Sequence, residues 1–164
     1  MTQAQIGALS NTQIANIATS SVAGLSTAQI SYINSDQLAS FSTKQISLLS
    51  TAQIGSLTSS ALNALDSGQF GAIATSGISA ISISNLTSDS ISYISVGQLA
   101  SLSSSQIAAL TSTQSSALTS AQLAALSSLQ IQALNKISLN AFGANQIQSI
   151  GTNVVSALAT AQIR

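Results

Sequence analysis

Charge is almost missing from this chain. Only 4% of its 164 residues are ionic (Asp36, Asp66, Asp89, Lys44, Lys136 and Arg164), and histidine is absent. Soluble domains ordinarily carry about a quarter. With a formal net charge of zero, neither nucleic acid nor an anionic membrane finds an electrostatic grip. Cysteine is missing too, which excludes disulfides, thiolate nucleophiles and cysteine metal sites but assigns no redox compartment. Without proline, no ring blocks a helix anywhere. No apolar run approaches the ~20 residues of a membrane helix, and Met1-Thr2-Gln3-Ala4-Gln5 has neither the basic region nor the apolar stretch of a signal peptide.

Catalysis finds no foothold in the same composition. A serine nucleophile needs an activating base; without histidine only Lys44 and Lys136 remain to serve, and serine recurs along the chain for another reason given below. Three scattered aspartates make neither a metal cluster nor a carboxylate pair. Phosphate-loop, dinucleotide and zinc motifs are missing. The expectation is therefore a protein that is not an enzyme, with no cofactor and no metal.

What is present is a 45% apolar content distributed with a strict period. Ile6, Ile14, Val22, Ile30, Leu38, Ile46, Ile54, Leu62, Phe70 and Ile78 fall eight residues apart. After Ile78 the register slips by three, resumes at Ile83 and continues through Ile91, Leu99, Ile107, Ser115, Leu123, Ile131, Leu139, Ile147, Val155 and Ile163. Three residues beyond each of them up to Val155 stands a second apolar side chain, among them Leu9, Ile33, Leu49, Leu57, Ile94, Leu102, Leu110, Leu126 and Leu134. These 21 octads place Ile6, Ile30, Ile46, Ile54, Ile91, Leu99, Ile107, Leu123 and Ile131 with their partners in the expected core. Ser115 alone interrupts the first column. Phe41, Phe70 and Phe142 occupy core columns as fillers, and Tyr32 and Tyr93 flank theirs as packing between coils.

The consensus is Ser-Thr-Ala-Gln-Ile-x-x-Leu, seen cleanly at Ser50-Thr51-Ala52-Gln53-Ile54-Gly55-Ser56-Leu57. Ile and Leu at i and i+3 share one face of a helix. Ser-x-x-Gln is a capping box, in which the serine oxygen accepts from the third helical N–H and the glutamine reaches back to the cap. Ser, Thr, Asn or Asp holds the cap position in 16 of the 21 octads and Gln follows in 14, so both signals mark the same helix start. Ser26, Ser42, Ser50, Ser103, Thr119 and Ser127 are the expected caps, with Gln29, Gln45, Gln53, Gln106, Gln122 and Gln130 completing the boxes. Gly143 and Gly151 replace caps, which glycine does moderately well.

One continuous helix is excluded, because eight residues at about 100° each rotate the apolar stripe by ~80° per octad. A coiled coil requires a period of 3.5. A β-solenoid is the alternative, but a spacing of three puts Ile and Leu on opposite strand faces. The pattern predicts an all-α solenoid, a superhelix of short capped helices. Each helix takes seven residues, about 10 Å, and the next cap follows at once. A loopless reversal is disfavoured, so the helices meet at sharp corners and wind about three octads to a coil; two or four also satisfy this geometry. Small residues after Ile (Gly7, Ala15, Ala23, Ala39, Gly55, Gly71, Ala100, Ala108 and Ala124) are expected to permit close helix approach, and the glutamines to form a side-chain ladder between coils. Residues 1–164 read as a single array, with the slip near 78–83 accommodated by a bend.

The run Leu25-Ser26-Thr27-Ala28-Gln29-Ile30, repeated at Leu49-Ser50-Thr51-Ala52-Gln53-Ile54, resembles octapeptide repeats of large bacterial secreted or surface proteins of adhesin-like or haem-utilisation-like type. The resemblance covers essentially the whole chain and implies an extracellular or cell-surface array serving as a stalk or surface layer. No haem-binding residue carries over, since histidine and cysteine are absent. The apolar ends, without the polar capping repeats that close most solenoids, read as a segment of a longer array or an idealised version of one. The expected function is a structural spacer, self-associating end to end. The competing reading is a binding module whose regular Ser/Thr/Asn/Gln face recognises a glycan, a surface or ice.

Overall fold

A computed structural model describes residues 1–156, 158 and 162, apart from the side chains of 153 and 154. Ile163 and Arg164 lie outside the described residues. Among those described, the regular structure is helix throughout, with no strand. The chain divides into two compact units, Met1–Ile81 and Ser82–Arg164, and the division falls at the slip in the repeat.

The octad folds as its local chemistry directs. At Ser50, the hydroxyl accepts from Gln53 N–H at 3.3 Å and the Ser50 N–H donates to Gln53 Oε1 at 2.7 Å. This box starts the helix Thr51–Ser56. Ile54 N–H then closes an α-turn on the Ser50 carbonyl at 2.9 Å, and Leu57 N–H closes a tighter turn on the Ile54 carbonyl at 3.1 Å. Leu57 itself is extended (φ −69°, ψ 143°), as is the next cap, Thr58 (φ −71°, ψ 152°). Two successive extended residues make the corner. No described residue has positive φ, so the turn calls for no glycine.

The helices are accordingly shorter than the seven residues expected from the repeat, at four to six. The second apolar residue, counted as helical in the sequence, leaves the helix to build the corner. One or two turns cannot hold themselves in water, so stability comes from the neighbouring coil.

Three octads complete a coil. In the first unit, Thr27–Ser31 packs on Thr51–Ser56, and Thr51–Ser56 on Thr75–Ile78. A second stack holds Thr19–Ala23, Thr43–Ser47 and Ser67–Gly71, and a third Asn11–Ala15, Ser35–Ala39 and Ser59–Leu62. The second unit repeats the arrangement with Ser104–Ala108 on Ser128–Ala133, Ser112–Ser116 on Lys136–Asn140, and Ser120–Ala124 on Ala144–Ser149. Each unit is a helical solenoid whose apolar columns fill its axis.

At the slip, Ile78 and Ile81 are buried in the first unit, and Ile83 and Leu86 in the second. The lost residues come out of the helix rather than the core: the five-residue helix shrinks to a single 3-10 turn, Ile83–Asn85. Its cap, Ser82, makes no side-chain cap bond. Ser79, which stands four residues before Ile83 as Ser50 stands before Ile54, instead ends the preceding helix and donates its hydroxyl to the Ser76 carbonyl at 2.7 Å.

Burial of the columns reverses between the two ends of the array. In the first coil Ile6, Ile14 and Val22 are buried, while Leu9, Ile17 and Leu25 are only half-buried. In the last helices Phe142 and Ile150 are buried, but Leu139 is half-buried, Ile147 is 44% exposed and Val155 40%. Leu9 and these last members of the first column are therefore not the full core residues that the repeat suggested. The reason is that the columns face opposite ways along the axis. First-column side chains pack toward the following coil, and second-column side chains toward the preceding one.

Candidate functional site

The most specific polar feature of the molecule is a set of buried glutamines that join coil to coil. Gln37, Gln45, Gln53, Gln69, Gln98, Gln114, Gln122 and Gln130 are all buried, although an uncompensated amide is costly to desolvate. Their hydrogen bonds resolve the conflict. Gln122 Oε1 accepts from the Thr119 N–H at 2.6 Å, as the capping box requires. Its Nε2 donates to the carbonyls of Ile91 at 3.1 Å and Ile94 at 2.7 Å, with Ser92 at 3.5 Å. Those carbonyls lie at the end of a helix 28 to 31 residues earlier, where intrahelical donors run out; Ile91 also accepts from the Ile94 N–H at 3.2 Å.

The pattern recurs at other glutamines of both units. Gln37 reaches Ile6 and Leu9 at 2.8 and 3.0 Å, and Gln45 reaches Ile17 at 2.8 Å. Gln53 reaches Leu25 at 2.7 Å, Gln69 reaches Phe41 at 2.6 Å and Gln114 reaches Leu86 at 2.6 Å. Gln130 spans Leu99, Ala100 and Leu102, and Gln29 reaches Met1 at 3.2 Å. One amide thus satisfies the start of its own helix and the end of another, stapling corner to corner. At octads without glutamine, Ser138 does a reduced version, donating its hydroxyl to the Leu110 carbonyl at 3.0 Å.

The amides of Gln37, Gln45, Gln53, Gln69, Gln114, Gln122 and Gln130 thus bind backbone rather than forming the side-chain ladder expected from the repeat. The small residues after Ile also have a different role from the one expected. Ala15, Ala23, Ala39 and Ala100 are exposed, but their carbonyls are among the acceptors of Gln45, Gln53, Gln69 and Gln130. A small side chain leaves that carbonyl open to the incoming amide. Close approach of helices matters at Gly55, where an added Cβ would stand 3.2 Å from the Ala80 Cβ, whereas Gly7 and Gly71 have nothing within 4 Å.

The other residues singled out by the repeat take these places. Ser26, Ser42, Ser50, Ser103, Thr119 and Ser127 each cap a helix and accept from the N–H of Gln29, Gln45, Gln53, Gln106, Gln122 and Gln130 respectively. Asp66 is likewise a cap, bound to Gln69 N–H at 2.8 Å. Gly143 has no side chain to offer, yet its N–H still donates to Gln146 Oε1 at 2.7 Å. Tyr32 and Tyr93 are half-buried on their flanks. Phe41, Phe70 and Phe142 are buried in the columns. Ser115 is wholly buried in the first column, and its hydroxyl has no hydrogen-bond partner among the described residues.

Among the described residues there is no pocket, no group of three or more metal-ligating side chains, and no helix long and apolar enough to cross a membrane. Comparison with protein-family models, curated proteins and solved structures gives no match to this chain. The sequence marks the glutamine column but explains only half of it. The Nε2 half depends on which carbonyls the winding brings overhead. One sequence signal does point to it: a cap needs only an acceptor at the third helical position, yet the column favours Gln, which also donates.

Proposed function

We propose that this chain is a structural spacer, a stalk segment that holds whatever flanks it at a set separation. The observation that carries the reading is the repeated staple, by which buried glutamines such as Gln53, Gln114 and Gln122 lock one coil to the carbonyls of the coil before it. Such bonds rigidify the stack without creating a recess for a ligand. The exterior suits the same role, being built from uncharged serine, threonine, asparagine and alanine. An extracellular or cell-surface location is part of the proposal and rests on the resemblance to secreted octapeptide-repeat arrays. The binding-module alternative would use the exposed hydroxyl face.

A distance measurement tests the reading. The chain has no cysteine, so spin labels can be placed singly at Ala28→Cys and Ser76→Cys, exposed positions on helices of one stack. Inserting a second copy of residues 34–57 after Leu57 adds one coil. The label separation should then lengthen by about 8–10 Å, the spacing of packed helices, with no broadening of the distribution. An unchanged or much broadened distance would remove the spacer reading. Saturable binding on a glycan panel, or thermal hysteresis in ice, would replace it with the binding module.

A further inference from the structure

Resting on the extracellular part of the proposed function, we infer that Asn85 is a glycosylation acceptor, taking a sugar activated as its diphosphate ester. Serine and threonine crowd this chain, yet Asn85-Leu86-Thr87 is the one place among its nine asparagines where a hydroxyl residue follows two positions on. That pattern, with any residue but proline between, is the acceptor signal for sugar on an asparagine and belongs on a surface loop of a secreted protein. The octad explains why it is otherwise missing. Asparagine at a cap or just inside a helix has a helical residue two on, as Asn34 has Asp36 and Asn11 has Gln13. Only asparagine just before the second apolar residue is followed by the next cap. Asn16 holds that place too, but Ala18 stands where the cap hydroxyl should be.

The fold puts this signal on an outer corner of the second unit. Asn85 and Thr87 are exposed, while Leu86 between them is buried and anchors the corner. Asn85 ends the 3-10 turn Ile83–Asn85, and the backbone beyond it is extended at Leu86 (φ −81°, ψ 150°) and Thr87 (φ −72°, ψ 163°). The helix packed on this turn in the next coil, Ser104–Ala108, ends at exposed Ala108 and is followed by exposed Ala109. Two such small side chains leave room for a sugar. Thr87 Oγ1 accepts from the Ser90 N–H at 3.2 Å as the cap of Ser88–Tyr93, and lies 3.0 Å from Ser90 Oγ. The hydroxyl that a transferase reads is therefore committed once this helix closes, so transfer comes before. In the step itself Asn85 Nδ2 attacks the anomeric carbon of the donor. A C–N bond forms and the C–O bond to the diphosphate breaks; the diphosphate leaves with the electron pair, and the amide proton passes to a base of the transferase. Sugar on asparagine is bulky and solubilising, and here it hydrates the surface of a chain with 4% ionic residues.

Peptide mapping by mass spectrometry, on the protein isolated from the cells that make it, tests the site. The fragment that spans Asn85 should carry added sugar mass, which peptide-N-glycosidase removes to leave an aspartate at that position. Asn85→Gln should return the fragment to its unmodified mass. Thr87→Ala should do the same, whereas Thr87→Ser keeps the hydroxyl and should keep the sugar. Circular dichroism checks that each variant folds. Translation of the chain with washed membranes of those cells, or with their soluble fraction and nucleotide sugars, separates a lipid-carried donor from a nucleotide-carried one. Modification in either arm that is lost in Asn85→Gln supports the site. Protein recovered outside the cell with Asn85 unmodified overturns the site and leaves the location standing; protein held in the cytosol with Asn85 unmodified overturns both. Sugar that persists in Asn85→Gln also overturns the site. The spin labels at positions 28 and 76 lie in the first unit, so the spacer reading stands or falls separately.

Discussion

Removing one staple should cost more than a helix cap alone, and Gln122 is the place to measure it. Gln122→Ala deletes both ends of the amide. The Thr119 N–H loses its acceptor and the Ile94 carbonyl loses its donor; the Ile91 carbonyl keeps the bond from Ile94 N–H at 3.2 Å. Two backbone groups are left without a protein partner, at about 1–3 kcal/mol each when water cannot reach them. Since Thr119 is exposed at the corner, its share falls at the low end, and the expected loss is about 2–4 kcal/mol. Gln13→Ala is the control, because it removes only a cap bond at an exposed site and should cost about 1 kcal/mol or less. Urea titration followed at the helix circular-dichroism band gives both numbers, at concentrations low enough to exclude association. Hydrogen exchange should localise the Gln122 effect to residues 91–94 as well as to its own cap. Equal, small losses for the two variants would refute the staple as an energetic feature. Gln122→Glu adds a test of sign. A carboxylate keeps the acceptor for Thr119 but points an anion at the Ile91 and Ile94 carbonyls, so only the protonated acid can donate to them. The folded-state pKa is therefore raised above the ordinary ~4.3 of glutamate. The penalty should be absent below that unfolded value and fully present once pH has risen through the folded pKa, so the variant gains stability relative to the parent on acidification; a pH-independent difference would contradict the geometry.

Three further substitutions probe the packing. Ser115→Ala removes a buried hydroxyl with no partner among the described residues and should raise stability by about 1–2 kcal/mol in denaturant titration; destabilisation would mean the hydroxyl is satisfied. Gly77→Ala places a Cβ 3.0 Å from Ile73 Cγ2 and 3.2 Å from Ile54 Cγ1, so its melting temperature should fall, while Gly71→Ala enters open space and should gain about 0.4–1 kcal/mol. Leu49→Ala empties a buried second-column position and should cost about 2–5 kcal/mol, against about 1 kcal/mol for loss of the Ser103 cap in Ser103→Ala; a reversed order would place the stability in the caps rather than the axis.

Much of this architecture is local and can be read from the residues of one octad. Ser50 and Gln53 fix where a helix starts through bonds only three residues long, and Ile54 and Leu57 share a side because of helical spacing. Winding of the octads into an apolar axis follows from those two facts and the lack of a loop. Helix length is not legible in the same residues: whether Leu57 ends the helix or turns the corner depends on the coil it must reach. The partners of the glutamine Nε2 atoms come from the winding, because the carbonyls they bind lie 28 to 31 residues away and are chosen by the number of octads per coil. It also decided which way each column faces, and so why Leu9 at one end and Ile147 at the other stay open to solvent. Burial along a stack is set by the neighbour above or below, and no property of a single octad can reveal on which side that neighbour will stand.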